Sequence, residues 1–246
     1  MRVAVISDIH ANQPALEAVL EAIGETGPDE LWFLGDLVGY GAEPDRCTEI
    51  VRERCDVWLS GNHDLAALGE IEVATFSDAA RAAVEWTREA ASEETLAFLR
   101  SLSPQGRRAE VGLFHASPRD PIWEYVLSLD QAEAGIDAMA ERLGLIGHSH
   151  VALFFTRPEA KRPTYAQGAQ ADGGTAIEAA SGRWLLNPGS VGQPRDGDPR
   201  AAWLELDTAT WSARFHRVPY DIAAAGAAIL EAGLPGSLAE RLAVGR

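Results

Sequence analysis

Short apolar runs recur along the chain, each bounded by polar residues, glycine or proline. Those at 3–6, 31–34, 57–59, 111–114, 143–146, 151–155, 183–186, 202–206 and 214–218 are brief and rich in β-branched or aromatic residues, which predicts strands. The early ones alternate with helical spacing. Leu16, Val19, Leu20 and Ile23 recur at three- and four-residue intervals after Pro14, and residues 44–54 open on Pro44, a favourable first helical position. A βαβαβ opening implies parallel strands. Residues 77–102 read as an Ala-, Glu- and Arg-rich helical hairpin with cap-like starts at Ser77 and Ser92. Residues 129–142 read as another helix, and 157–174 as a loop or hairpin tip. The tail from 221 reads as two short helices broken by "GLPGS". The simplest organisation is one unit spanning 1–246, with a helical insertion at about 70–105 and a helical tail at about 221–246.

The polar residues are not scattered. Asp8 and His10 follow the first run, and Asp36 the second. Asn62, His63 and Asp64 follow the third, and His115 the fourth. In "LGLIGHSHVALFF", His148 and His150 interrupt two apolar runs. Asn187 opens "NPGSVGQPRDG" after a later strand. Five of the six histidines thus sit just past a predicted strand; His216 lies within one and reads as structural. One such residue is ordinarily a turn former or a helix cap. Five strands ending this way make a common rim the better explanation, because open α/β folds bind ligands outside the carboxyl ends of their strands.

Imidazoles, carboxylates and one amide, without a thiolate, suit Mn, Fe, Ni, Zn or Co rather than Ca or a structural zinc. Asp8, His10, Asp36, Asn62, His115, His148 and His150 are too many for one tetrahedral ion. They fit two ions sharing a carboxylate, a clamp suited to displacement at phosphorus. Charge narrows the partners. A formal net charge of −16 repels nucleic-acid backbones, so stable nucleic-acid binding is not expected, and an anionic substrate needs a local positive centre. No run approaches the ~18 apolar residues of a membrane span, and the N-terminus lacks the pattern of a signal peptide. Cys47 and Cys55, eight apart in a predicted helix, read as buried small hydrophobes in a reducing cytoplasm.

The ordered set "SDIHAN" (7–12), "GDLVGYG" (35–41), "GNHD" (61–64), "FHASPRD" (114–120) and "GHSH" (147–150) resembles the calcineurin-like metallophosphoesterase superfamily. "LLNPGSVGQPRDG" and the later strands resemble its small bacterial YfcE-like branch, and "GDLVGYG" the diadenosine-tetraphosphatase-like proteins. The resemblance implies a four-layer αββα sandwich with two mixed sheets. It assigns Asp8, His10 and His150 to one metal, and Asn62, His115 and His148 to the other. Asp36 bridges them, and a shared hydroxide attacks phosphorus. His63 donates to the phosphate or leaving oxygen, with Asp64 orienting its ring. Asn12, Asn187, Arg119 and Arg195 are candidate substrate contacts. Trp86 and Phe98 of the insertion either roof the cleft or pack the insertion onto the sheet.

The expected function is hydrolysis of a phosphate monoester, diester or nucleoside polyphosphate with two divalent transition metals, manganese foremost. The substrate would be a phosphorylated small molecule or nucleotide; a homo-oligomer stays open. A metal-dependent protein phosphatase is the alternative within enzymes. A non-catalytic scaffold on the same fold is the alternative outside them, and it predicts eroded ligands, whereas this chain keeps the full set.

Overall fold

The computed structural model describes residues 1–159 and 165–246. One six-stranded sheet has the order β3 (Val57–Trp58), β2 (Glu30–Phe33), β1 (Arg2–Ile6), β11 (Ala201–Asp207), β12 (Ser212–Val218) and β9 (Ala176–Glu178). The other has the order β4 (Gln105–Arg108), β5 (Val111–Phe114), β6 (Leu143–Leu145), β10 (Arg183–Pro188), β7 (Ala152–Arg157) and β8 (Gln167–Gln170). Both are mixed. β1, β2 and β3 run parallel, as do β5, β6 and β10, while β11 pairs antiparallel with β1 and β7 with β10.

Two-residue alternation builds the layers. Val3 and Val5 face the seam between the sheets, joining Trp32, Leu113, Leu145, Leu186 and Leu204. Ala4 and Ile6 face outward with Phe33 and Trp203, against α1 (Gln13–Thr26) and α2 (Pro44–Arg54). On the far face, Ala132 and Ile136 of α6 (Leu129–Ala138) cover Leu153, Phe155 and Leu185. The result is the four-layer αββα sandwich. In α1, Asn12 caps the start and Gly27, at φ 60°, ends the helix; the buried stripe is Leu16, Val19, Leu20 and Ile23. After β3 comes α3 (Asn62–Ala67), and the expected insertion then holds α4 (Asp78–Ala90) and α5 (Glu93–Arg100). The tail forms α7 (Ile222–Glu231) and α8 (Gly236–Leu242), which pack on α4 and on Tyr40.

Several elements differ from expectation. β4 and β8 are fully exposed edge strands, so neither carries an apolar alternation. β8 falls in the stretch expected to be a loop or hairpin tip, where it pairs with β7; residues 160–164 of that stretch lie outside the described residues. All six residues of α3 are buried, so it too lacks an amphipathic signal. α6 ends at Ala138, four residues before the expected end. Cys55 is the cap of α2 rather than a helical residue; both cysteines are buried free thiols.

One glycine fixes how closely the two sheets' terminal loops meet. A Cβ on Gly192 would lie 1.8 Å from the Ile9 carbonyl oxygen, whereas one on Gly24, within α1, would meet nothing within 4 Å. Chemical denaturation should therefore separate the two alanine variants. Gly24→Ala should stabilise by about 0.5–1 kcal/mol through helix propensity. Gly192→Ala should destabilise by about 3 kcal/mol or more through overpacking and displacement of the loop carrying Asp8 and His10. Equal effects would contradict this packing.

Candidate metal centre

The rim turns are made by residues that pay a conformational cost. Asp8, His10, Asp36, His148 and His150 all have φ between 50° and 63°, the left-handed region. That conformation costs roughly 1–2 kcal/mol for a non-glycine residue. Cross-loop hydrogen bonds hold it: the N–H groups of Asp8, His10 and Ala11 donate to the carbonyls of Gly35, Asp36 and Leu37 at 2.8–3.0 Å. Glycines permit the approach, since a Cβ on Gly147 or Gly61 would lie 2.1 Å from Ser7 Oγ or Asp36 Oδ1.

The strand ends bring the seven expected ligands together. Asp8, His10, Asp36 and His150 offer atoms within 4.8 Å of one another, and so do Asp36, His115 and His148. Asn62 Oδ1 lies 3.2 Å from His115 Nε2. Asp36 is common to both groups. Its Oδ1 accepts from the His63 N–H at 2.8 Å; its Oδ2 is buried and has no hydrogen-bond partner. That oxygen lies 3.5 Å from His10 Nε2 and 3.6 Å from His115 Nε2.

The tautomers follow from the neighbours. The Nδ1 atoms of His10, His115 and His150 face the carbonyls of Val38, Leu34 and Gln193 at 3.0, 3.0 and 2.7 Å. A carbonyl only accepts, so each Nδ1 carries the proton and each Nε2 lone pair points inward. His10 Nε2 and His150 Nε2 then oppose each other at 3.1 Å, and His148 Nε2 is a buried atom without a partner. Two facing lone pairs and an orphaned carboxylate oxygen are electrostatically unfavourable until a cation lies between them. The donor set fits divalent transition metals.

Charge states agree. Burial drives the pKa values of His10, His63, His148 and His150 well below the usual range; in His10, His148 and His150 the neutral form it favours is the one metal ligation requires. Burial, partly offset by His115, raises Asp8 to about 7, and burial reinforced by Asp64 raises Asp36 well above its ordinary value. The Arg195 charge pulls both carboxylates the other way without outweighing burial.

Other expected site residues take different places. Asp64 does not orient His63. Its carboxylate accepts from the N–H groups of Gly61, Asp36, Leu37 and Val38 at 2.8–3.1 Å, while His63 Nδ1 is buried without a partner. Asn12 is committed to capping α1 and to the Gly192 carbonyl. Asn187 is committed to the Gly147 carbonyl, Ser149 Oγ and the Gly189 N–H, so neither amide is aimed at a substrate. Arg119 is exposed and pairs with Glu124 at 3.1 Å instead of lining the cleft. Arg195 does line it, half-buried, and donates to Tyr40 Oη at 3.2 Å. Trp86 and Phe98 roof nothing: Trp86 packs on the tail helices and Phe98 on the outer face of the first sheet.

The cleft beside the cluster holds about 420 Å³ and is lined by His63, His148 and Arg195, together with residues the sequence reading passed over. These are Tyr40, Phe76, Trp123, Tyr125 and Arg241. Tyr40 stands within the quoted "GDLVGYG" and packs on His10 and His63, with ring centroids 4.6 and 4.4 Å away. Tyr125 stacks on His148 at 4.1 Å. Nothing local marks the others, because long-range packing brings them in.

Comparison with known proteins agrees with this geometry. Residues 1–209 match the calcineurin-like phosphoesterase superfamily domain. The chain is 36% identical over 251 residues to the Methanocaldococcus jannaschii protein MJ0912, covering 99% of this chain and 98% of that one. A metallophosphoesterase from Sphaerobacter thermophilus superposes with a TM-score of 0.89 at 41% identity, covering 100% of this chain and 99% of that one. The protein PH1004 from Pyrococcus horikoshii OT3 shares the fold, with a TM-score of 0.79 at 21% identity over 100% of this chain and 98% of its own. The chain belongs to the calcineurin-like phosphoesterase superfamily and is a metal-dependent phosphoester hydrolase.

Proposed function

We propose that the chain works with two divalent transition metals, manganese foremost, and hydrolyses a phosphate mono- or diester or a nucleoside polyphosphate. One ion would be held by Asp8, His10, Asp36 and His150, and the other by Asp36, Asn62, His115 and His148. The observation that carries this reading is Asp36 Oδ2, buried, unpartnered and within 3.6 Å of an inward-facing imidazole from each group. Bound ions would supply a nucleophile at neutral pH and offset charge building on the phosphoryl oxygens.

The chain's own residues do the rest. Backbone carbonyls keep each Nδ1 protonated, and so keep the Nε2 lone pairs available. His63 lies outside both groups and lines the cleft, where a neutral imidazole can donate one N–H to a phosphoryl or leaving-group oxygen. Arg195 adds a guanidinium suited to bidentate phosphate contact. Asp64 acts as a positioning residue, setting the loop that carries Asp36. The whole chain acts as one unit, since the segment before α4, the Arg195 loop and α8 all contribute to the cleft. Two buried free thiols suit a reducing cytoplasm, and among the described residues no helix is long and apolar enough to cross a membrane.

Hydrolysis of p-nitrophenyl phosphate should disappear after exhaustive chelation and return with Mn²⁺; full activity in metal-free protein defeats the proposal. His63→Ala should lower kcat by about 10²–10⁴-fold while elemental analysis still finds both metals. Loss of metal instead would make His63 a ligand. In Asp36→Asn both metal equivalents should weaken together, and one intact equivalent would exclude a shared carboxylate.

A further inference from the structure

We propose that Arg195 and Arg241, on the wall of the cleft beside Tyr40, form an anion subsite that receives a second phosphate carried by the leaving group of the substrate. This rests on the phosphoester-hydrolase reading above and adds the substrate's second charge.

In a chain of net charge −16, Arg46, Arg52, Arg81, Arg100, Arg108, Arg157 and Arg217 pair with carboxylates, while the half-buried Arg142 and Arg183 donate to main-chain carbonyls instead. Among the described residues, neither Arg195 nor Arg241 pairs with an Asp or Glu side chain, although both are half-buried on the cleft wall. They flank one ring, with guanidinium carbons 5.5 and 5.9 Å from the Tyr40 centroid. Burial and the Arg195 charge both press the Arg241 pKa downward. Two like charges held together at partial burial repel each other, and an anion between them relieves that repulsion.

The pair is also built. Arg195 donates to Gln193 Oε1 and Tyr40 Oη at 2.8 and 3.2 Å. The next residue, Asp196, forms a buried ion pair with Arg217 and accepts from the Ala152 N–H, which roots the loop. Arg241 Nε donates to the main-chain oxygen of Arg246, and the Gly197 N–H to the Gly245 carbonyl at 2.9 Å. The Arg195 loop and the end of α8 are thereby tied together. The Tyr40 ring that the pair approaches also packs on His10 and His63. Beside it runs a cleft of about 420 Å³, much larger than one phosphoryl group, with Phe76 and Trp123 edge-to-face at 5.8 Å. A substrate spanning it would present one phosphate to the metal cluster and another to the guanidiniums. Arginine's planar fork suits phosphate.

The test compares tripolyphosphate with p-nitrophenyl phosphate on Mn²⁺-loaded protein carrying Arg241→Met, which keeps the packing stem, or Arg241→Lys. The loss of kcat/KM with Arg241→Met should be at least tenfold greater for tripolyphosphate, expressed in KM, and Arg241→Lys should recover part of it. Equal losses on both substrates, or none on either, would overturn the subsite and leave α8 a purely structural element. If wild-type protein hydrolyses neither compound, the hydrolase reading fails on its own. Calorimetric titration of tripolyphosphate into the loaded protein then decides the subsite: Arg241→Met should weaken binding at least tenfold, and unchanged affinity would overturn it.

Discussion

Four backbone N–H groups converge on the Asp64 carboxylate, three from the loop after β2 and one from Gly61 after β3. Hydrogen bonds to an ionised group contribute about 1.5–3 kcal/mol each. This hub ties two neighbouring strand ends into one rigid corner. Burial alone raises the carboxyl to about 6, against the pull of the amides. The corner holds Asp36 at φ 58°, a conformation its own residue type disfavours. Asp36 Oδ1 is then occupied by the His63 N–H, and Oδ2 faces the cluster. Local strain at Asp36 persists because the surroundings over-determine it.

The electrostatics of the rim follow from that corner. Carbonyls on one side of each ring set the proton on Nδ1, so the opposite lone pairs converge on the space beside Asp36 Oδ2. Neutral imidazoles and carboxylates reluctant to ionise describe a pocket designed around cations the chain does not itself provide. The same logic extends outward. Tyr40, also in the left-handed region at φ 61°, packs on His10 and His63 and lies under the guanidiniums of Arg195 and Arg241, so one ring touches both groups.

Some of this was legible in the chain and some was not. β1, β2, β5 and β6 are buried throughout most of their length, so their apolar runs stand out; β4 and β8 touch solvent throughout and leave no such trace. The rim donors were visible because metal chemistry favours particular side chains, and these stand at strand ends. Asp64 was visible too, but its role was misread, since a carboxylate beside a histidine in sequence need not face it in space. Asn12 and Asn187 were misread in the same way: their amides serve caps and turns. Arg241 lies some 200 residues from Tyr40 along the chain, and no local pattern predicts their contact.

The sequence by itself determined the alternating strands and helices of the opening and the identity of the rim donors, while the αββα layering was implied by the family resemblance. Two-residue alternation dictates which side chains can share a face, and only certain residue types ligate metals. Tertiary structure alone decided which donors group together, which carboxylate is common to both groups, and which arginines line the cleft. Those outcomes depend on distances between segments remote in the chain. They are set by close packing of the two sheets and by backbone amides that hold strained turns in place.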